Sequence, residues 1–298
     1  MSTFLVALFT GLRLGSVYAL IALGYTMVYG IIKLINFAHG DFIMVGGYCL
    51  FFLVPVCTKM GIPVWLSVIV GVVVCALVGI LTELIAYRPV RKKGTNMTAL
   101  ITAISMSLVL ENLAQAIPAM GPNPRVVGTI FSSGGITIAG ATLSWATIIT
   151  IAVSAIVMVA LYFFVKLTSL GRAMRAVSED KQAATLMGIN VNRTILTTFG
   201  IGAGLAAIAA LMYVAQYPSV FTTIGSTLGL YALVAAVVGG IGSIPGAMLG
   251  GLVIGMVYSF SSAYINSSMA STFVYLILIL VLLIKPTGIV GKNVGEKV

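Results

Sequence analysis

Long apolar runs parted by short polar ones set the pattern of this chain. Residues 4–30, 42–56, 62–87, 98–117, 143–165, 194–216 and 271–284 are nearly continuous apolar segments, and 230–260 is a further apolar stretch broken in its middle. A helix that crosses a bilayer needs about 20 mostly apolar residues. The pattern therefore predicts an all-α, polytopic transmembrane bundle of about eight to nine spans. Two interruptions fall at membrane depth. The first, IIKLINFAHGDF, places Asn36, His39, Gly40 and Asp41 ahead of the short segment 42–56. The second, residues 239–246, carries Gly240, Gly242 and Pro245 and divides 230–260 into two half-length segments. Irregular backbone survives in a membrane only when it is buried in protein or lines a wet cavity. Both are predicted as broken or re-entrant regions, either gate elements or bonded hairpins. Tyr18–Ala22 (YALIA) before the first echoes Tyr231–Ala235 (YALVA) before the second. An internal duplication of the kind common in transporters would explain the echo.

Smaller patterns refine the spans. Gly11 and Gly15 form a GxxxG pair that would let another helix approach closely. Thr98, Thr102, Ser105 and Asn112 fall on one helical face, which predicts a polar stripe turned inward, with Glu111 and Gln115 one position round. Gly200, Gly202 and Gly204 give residues 194–216 a small face suited to close packing near a symmetry axis or a partner. Residues 118–142, rich in proline and glycine, read as a loop with a short strand pair around SSGGITIAGATLS.

One long polar stretch remains, residues 166–193. It carries Arg172, Arg175, Glu179, Asp180, Lys181 and Arg193. Ser178 is a candidate N-cap, Glu179 and Asp180 suit the positive end of a helix, and Gly188 suits its C-terminus. A short helix is predicted over about 179–187, with Ala183, Ala184 and Met187 on one small apolar face fit to dock into a groove.

Composition narrows the classes. The 298 residues are 60% hydrophobic and 7% charged, against about 25% charged for soluble domains. The chain reads as one transmembrane domain, residues 1–298, without a soluble catalytic domain. The net charge of +10 comes from short basic runs between apolar segments. Membrane orientation explains these better than nucleic acid does. Arg88, Arg91, Lys92 and Lys93, with the basic residues of 166–193, mark the cytoplasmic side. The N-terminus is then outside, and the tail with Lys292 and Lys297 is cytoplasmic. Cys49, Cys57 and Cys75 lack metal or disulfide spacing, and residues 1–9 lack the basic start of a removable signal. No GxxxxGK[ST] occurs, so this chain has no P-loop for ATP.

The stretch GRAMRAVSEDKQAATLMGIN resembles the coupling segment of bacterial ATP-binding-cassette importer permeases. Ala183, Ala184 and Gly188 match its pattern, while Gln182 stands where that family usually has glutamate. Together with YALIALGYTMVYGIIKLINFAHGDFIMVGGY, it looks like the LivH type of branched-chain amino acid permease over nearly the whole chain. The resemblance implies an inner-membrane transport subunit, not an enzyme, binding no cofactor or metal itself. ATP would act on two cytoplasmic ATPase subunits docked on the 172–190 part of the segment 166–193. A second, LivM-like permease subunit or a second copy, an external substrate-binding protein and surrounding lipid complete the implied partners. Asn36, His39 and Asp41 would then lie by the pathway.

Residue chemistry leaves other readings open. Arg13 and Glu111 are intramembrane charges and thus functional candidates or a buried ion pair, and pairing with each other is expected. His39, the only histidine, is expected to be a bonded structural residue. The same machine could carry urea, a short amide or a sugar. An ion-driven secondary transporter also uses broken helices, but the chain has few carboxylates at membrane depth.

Overall fold

The computed structural model describes residues 2–291 apart from 132, 133 and 139. Lys292 and Lys297 lie outside these described residues. Helices α1 (Ser2–Ile32), α2 (His39–Met60), α3 (Trp65–Thr82), α4 (Arg88–Lys93), α5 (Asn96–Ala116), α6 (Trp145–Leu167), α7 (Ser169–Glu179) and α8 (Lys181–Leu186) come first. Then follow α9 (Val191–Val214), α10 (Ile224–Gly239), α11 (Ile244–Tyr264) and α12 (Ala270–Ile284). A π-helical turn, Glu83–Tyr87, joins α3 to α4. Among the described residues, eight helices are long and apolar enough to cross a membrane, and α10 is a ninth, shorter one.

Small residues decide which helices sit at the centre. A Cβ placed on Gly255 of α11 would lie 2.2 Å from the Cα of Gly15, and one on Gly251 would lie 2.4 Å from that of Ala19. The GxxxG pair of α1 thus serves the chain's own α11. On α9, Gly202 faces Gly24 of α1, while Gly200 and Gly204 meet Ile80 and Val72 of α3. This glycine face is consumed inside the chain and not by a symmetry partner. α9 is the most buried span. Close approach of this kind replaces the hydrophobic driving force that helices lack in lipid. The outer helices α3, α5, α6 and α12 turn large apolar side chains such as Leu77, Ile104, Ile156 and Ile279 outward.

The predicted strand pair is a hairpin of β2 (Gly135–Ile138) and β3 (Ala141–Ser144). A second two-residue pair joins β1 (Arg125–Val126) to β4 (Ser219–Val220). Both breaks exist with altered proportions. α2 runs its full 22 residues, keeping Pro55 inside, so the first break is only the linker 33–38. α1 stops at Lys33, which adopts φ 62°. α11 has 21 residues and α10 has 16, so the second break divides unequal helices rather than two halves.

Candidate functional site

The linker 33–38 folds into the bundle and carries a set of buried polar side chains. Asn36, His39 and Asp41 are each 1 or 2 % exposed. The Tyr87 hydroxyl of the π-helical turn donates to Asn36 Oδ1. Gly24 explains how the histidine fits: a Cβ there would lie 2.3 Å from the His39 ring. That ring packs edge-on against Tyr25 and Phe42, at centroid distances of 4.6 and 5.8 Å. Neither ring nitrogen has a hydrogen-bonding protein group. Packing against Gly24, Tyr25 and Phe42 holds the His39 ring in place.

Asp41 is in the first turn of α2, where the helix dipole favours negative charge. Both its oxygens lack a protein partner. It faces a cavity of about 200 Å³ lined also by Tyr25, Ser107, Glu111, Gly225 and Ser226. The floor of this cavity is a contact between two helix starts. A Cβ on Gly40 would be 2.5 Å from Gly225 O, and one on Gly225 would be 2.4 Å from Gly40 O. The expected pair of Arg13 and Glu111 does not form. Arg13 donates to Thr147 Oγ1 at 3.3 Å and to the Tyr217 hydroxyl at 3.1 Å, while Glu111 accepts from Gln115 at 3.3 Å and Ser226 at 3.5 Å. Each charge has its own partners.

The stripe on α5 also points the other way from the prediction. Thr98, Ser105 and Asn112 are exposed on the single chain, and Thr102 is half-buried. Ala99, Ala103 and Ala114 pack inward instead. Thr102 and Asn112 bond back to carbonyls of their own helix. Periodicity identifies a face but not its direction.

At the second break, Gly240 and Gly242 adopt φ 108° and 95°. Pro245 sits in the first turn of α11, where no amide donor is needed, and Ser243 caps that helix by accepting from Gly246 N. The amides of Ile289 and Val290 donate to the last carbonyls of α10, Val238 and Gly239.

The polar stretch 166–193 forms two helices where one was expected. Ser178 lies in α7 and donates to Arg175 O, while Asp180 caps α8, its Oδ1 accepting from the amides of Gln182 and Ala183. Asp180 wins because its extended backbone separates α7 from α8. Gly188, at φ 81°, ends α8 as expected. Ala184 is buried, so it does not share an outward face with Ala183 and Met187. Leu186 and Met187, 88 and 81 % exposed, form the free apolar tip. Arg172 and Arg175 fold back onto the carbonyls of Leu167 and Lys166 at the end of α6, and Glu179 is exposed. Partial burial, then the charges of Arg91 and Lys33, pull Lys181 below its ordinary pKa.

Two contacts tie this segment to the breaks. Arg91 holds Glu83 at 2.7 Å in the π-helical turn and reaches Asn192 at 3.3 Å, just past α8. A cleft of about 80 Å³ is shared by Arg175 and Ser178 of α7, Gly30 of α1, and Gly242 and Ile244 of the second break. Tyr87, Tyr25, Ser107 and Ser226 are site residues that sequence reasoning misses. A tyrosine inside an apolar run gives no break in hydropathy. Among the described residues, no group of three or more His, Cys, Asp or Glu could hold a metal.

Residues 7–282 match the family described as branched-chain amino acid transport system / permease component. The high-affinity branched-chain amino acid transport system permease protein LivH of Escherichia coli strain K12 is 43% identical over 99% of this chain and 98% of its own. BraD of Pseudomonas aeruginosa, described in the same words, is 41% identical over the same shares. The solved PsaBC complex of Streptococcus pneumoniae with Fab has a chain 17% identical, with a TM-score of 0.44, over 96% of this chain and 93% of that one. With a family match that runs from α1 to α12 and a relative 43% identical over nearly its whole length, this chain belongs to the family of branched-chain amino acid transport permeases.

Proposed function

We infer that this chain is the permease subunit of an ATP-driven importer that carries branched-chain amino acids across the bacterial inner membrane. The names of its relatives supply the cargo. The coupling rests on a run of contacts: Asn192 is held by Arg91, which also holds Glu83 of the turn whose Tyr87 donates to Asn36, and α7 shares a cleft with Gly242. ATP would be hydrolysed on two cytoplasmic subunits gripping the Leu186–Met187 tip. Their closure would pull on Asn192 and α7, and so on the π-helical turn, Tyr87 and the linker at Asn36. The linker and the second break then change which side is open. This reading sets the N-terminus outside and the α7–α8 end in the cytoplasm, with a binding protein delivering substrate from outside.

The exposure of α5 supports a second permease subunit. Ser105, Asn112 and the rim of the Asp41 cavity would otherwise face lipid, which a polar face with a carboxylate behind it does not tolerate. Changing both Leu186→Glu and Met187→Glu tests the coupling. The variant should insert and hold its partner permease but fail to co-purify with the ATPases. Normal recruitment and leucine uptake would remove the docking reading. Uptake of urea or a sugar, without leucine uptake, by the unmodified complex would remove the assigned cargo.

A further inference from the structure

We propose that the cavity at Asp41 is a transit site for a zwitterionic amino acid, with Asp41 and Glu111 receiving its ammonium group and the start of α10 its carboxylate. The proposal rests on the importer reading above and assigns the chemistry inside it. Three features on the cavity wall carry it.

The first is a buried carboxyl group with no cationic neighbour. Asp41 is 1 % exposed, lies beside Ser107 and makes no hydrogen bond of normal geometry through either oxygen, although the residue lines the cavity. Its helix dipole favours charge there but supplies no hydrogen bond to those oxygens. Among the described residues, the side-chain ion pair within 4.0 Å is Arg91–Glu83, on a different wall. No lysine or arginine lines the Asp41 cavity. A cation arriving from outside the chain would offset the cost of burying a carboxylate in this setting. Glu111, on the same cavity, adds a second carboxylate, and its hydrogen bonds to Gln115 and Ser226 are 3.3 and 3.5 Å long.

The second feature is the opposite pole. α10 starts at Ile224, and its N-cap Thr223 makes no side-chain bond to the first-turn amides. Gly225 and Ser226 of that turn line the cavity. An uncapped helix start presents N–H groups and positive potential to an anion, and broken membrane helices use such starts to hold substrate carboxylates. The glycine contact between Gly40 and Gly225 brings this pole against the first turn of α2. Side chains there would push the two poles apart.

The third is the remaining wall. Ile104, Leu108, Leu230 and Leu233 complete it. An apolar wall beside two opposite poles fits a short aliphatic side chain on an α-amino acid. It fits neither a sugar, which lacks charge, nor a bare cation, which needs no apolar wall.

The test uses the full complex of partner permease and ATPases in nanodiscs, without the binding protein. Ser107→Cys is the reporter, with Cys49, Cys57 and Cys75 replaced by alanine. Millimolar leucine should slow alkylation of the new thiol at least threefold. 4-Methylpentanoate, lacking the ammonium, and 3-methylbutylamine, lacking the carboxylate, should each slow it less than 1.5-fold. Asp41→Asn should abolish protection by leucine, and Asp41→Glu should retain part of it. Equal protection by 4-methylpentanoate, no protection by leucine, or undiminished protection in Asp41→Asn overturns the proposal. If Asp41→Asn does not co-purify with its partners, Glu111→Gln takes its place, with a threefold loss of protection expected and an unchanged rate overturning. Uptake separates the two claims. A complex of unmodified subunits, supplied with binding protein, that moves no leucine sinks the importer reading. One that moves leucine equally fast with Asp41→Asn sinks only the zwitterion site.

Discussion

The two breaks solve one problem, how to bend a chain inside a membrane, with opposite chemistry. At the second, the devices are backbone conformation, backbone hydrogen bonds and one side-chain cap. Gly240 and Gly242 take positive φ, Ser243 caps α11, and the tail amides at Ile289 and Val290 close the carbonyls of α10. At the first, the bend is surrounded by side chains with spare bonding capacity: Asn36 Nδ2, both His39 nitrogens and both Asp41 oxygens. Unsatisfied buried polar groups are costly, so the second break has the character of a hinge and the first that of a site. The helices that a glycine hinge brings together tolerate little added bulk between them, whereas a polar site tolerates bulk at its rim but not loss of its partners. The largest expected effect follows. Gly250→Leu would bring a Cβ to 2.0 Å from Ala235 O, between α11 and α10. Overpacking a helix contact costs about 3 kcal/mol or more when backbone must move. The variant should leave little assembled complex in detergent gel filtration. A normal yield would show that the α10–α11 contact is soft, and that the second break is not a rigid hinge.

The sequence shows the hinge more clearly than the site. Gly240, Gly242 and Pro245 interrupt a hydropathy run, so their place in a bend is readable from residue type alone. The spans are readable too, because about 20 apolar residues in a row have few other uses. Asn36, His39 and Asp41 are visible as polar residues at depth. Their neighbours are not, since Tyr87, Gly24 and Ser226 come from distant segments and look like ordinary span residues. Direction is also hidden. The stripe from Thr98 to Asn112 has a clear period, yet a period is unchanged when the helix is turned about its axis. In the polar segment, two adjacent candidates for a cap compete. Asp180 prevails over Ser178 through a backbone conformation that composition does not reveal.

Next in size is the fit of His39 over Gly24. Gly24→Ala would place a methyl 2.3 Å from the ring and displace it, a cost of about 2 kcal/mol. His39→Ala should restore part of the stability of Gly24→Ala, because the two changes share one space. A double-mutant cycle by thermal unfolding should give a coupling of about 1 kcal/mol or more. Additive effects would mean that the ring has somewhere else to go. A site defined by packing alone would recover uptake in the double variant. One that uses the imidazole would recover stability and not uptake.

Tyr87→Phe is smaller and more selective. It removes the hydroxyl that donates to Asn36 and should cost about 1.5 kcal/mol, leaving assembly intact. The chain from Asn192 through Arg91 and Glu83 would then end at a phenylalanine ring. ATP hydrolysis stimulated by binding protein should persist while leucine uptake falls severalfold. Uptake and hydrolysis falling together would argue that Tyr87 supports the bundle and not the transmission.

The smallest effect isolates the hinge. Gly242 has φ 95° with nothing within 4 Å of an added methyl, and Gly61, ending α2, has φ 67° with equally open surroundings. Alanine at either position costs only the backbone conformation, about 1 kcal/mol. Stability should therefore fall alike in both variants. Gly242 also lines the cleft beside Arg175 and Ser178 of α7, which Gly61 does not line. If the second break moves when α7 moves, only Gly242→Ala should raise the number of ATP molecules hydrolysed per leucine imported. Gly242→Asn, a residue that tolerates positive φ, should restore much of that ratio. Equal ratios in the Gly242 and Gly61 variants would make the second break a passive bend, leaving the polar linker at Asn36 as the only moving part.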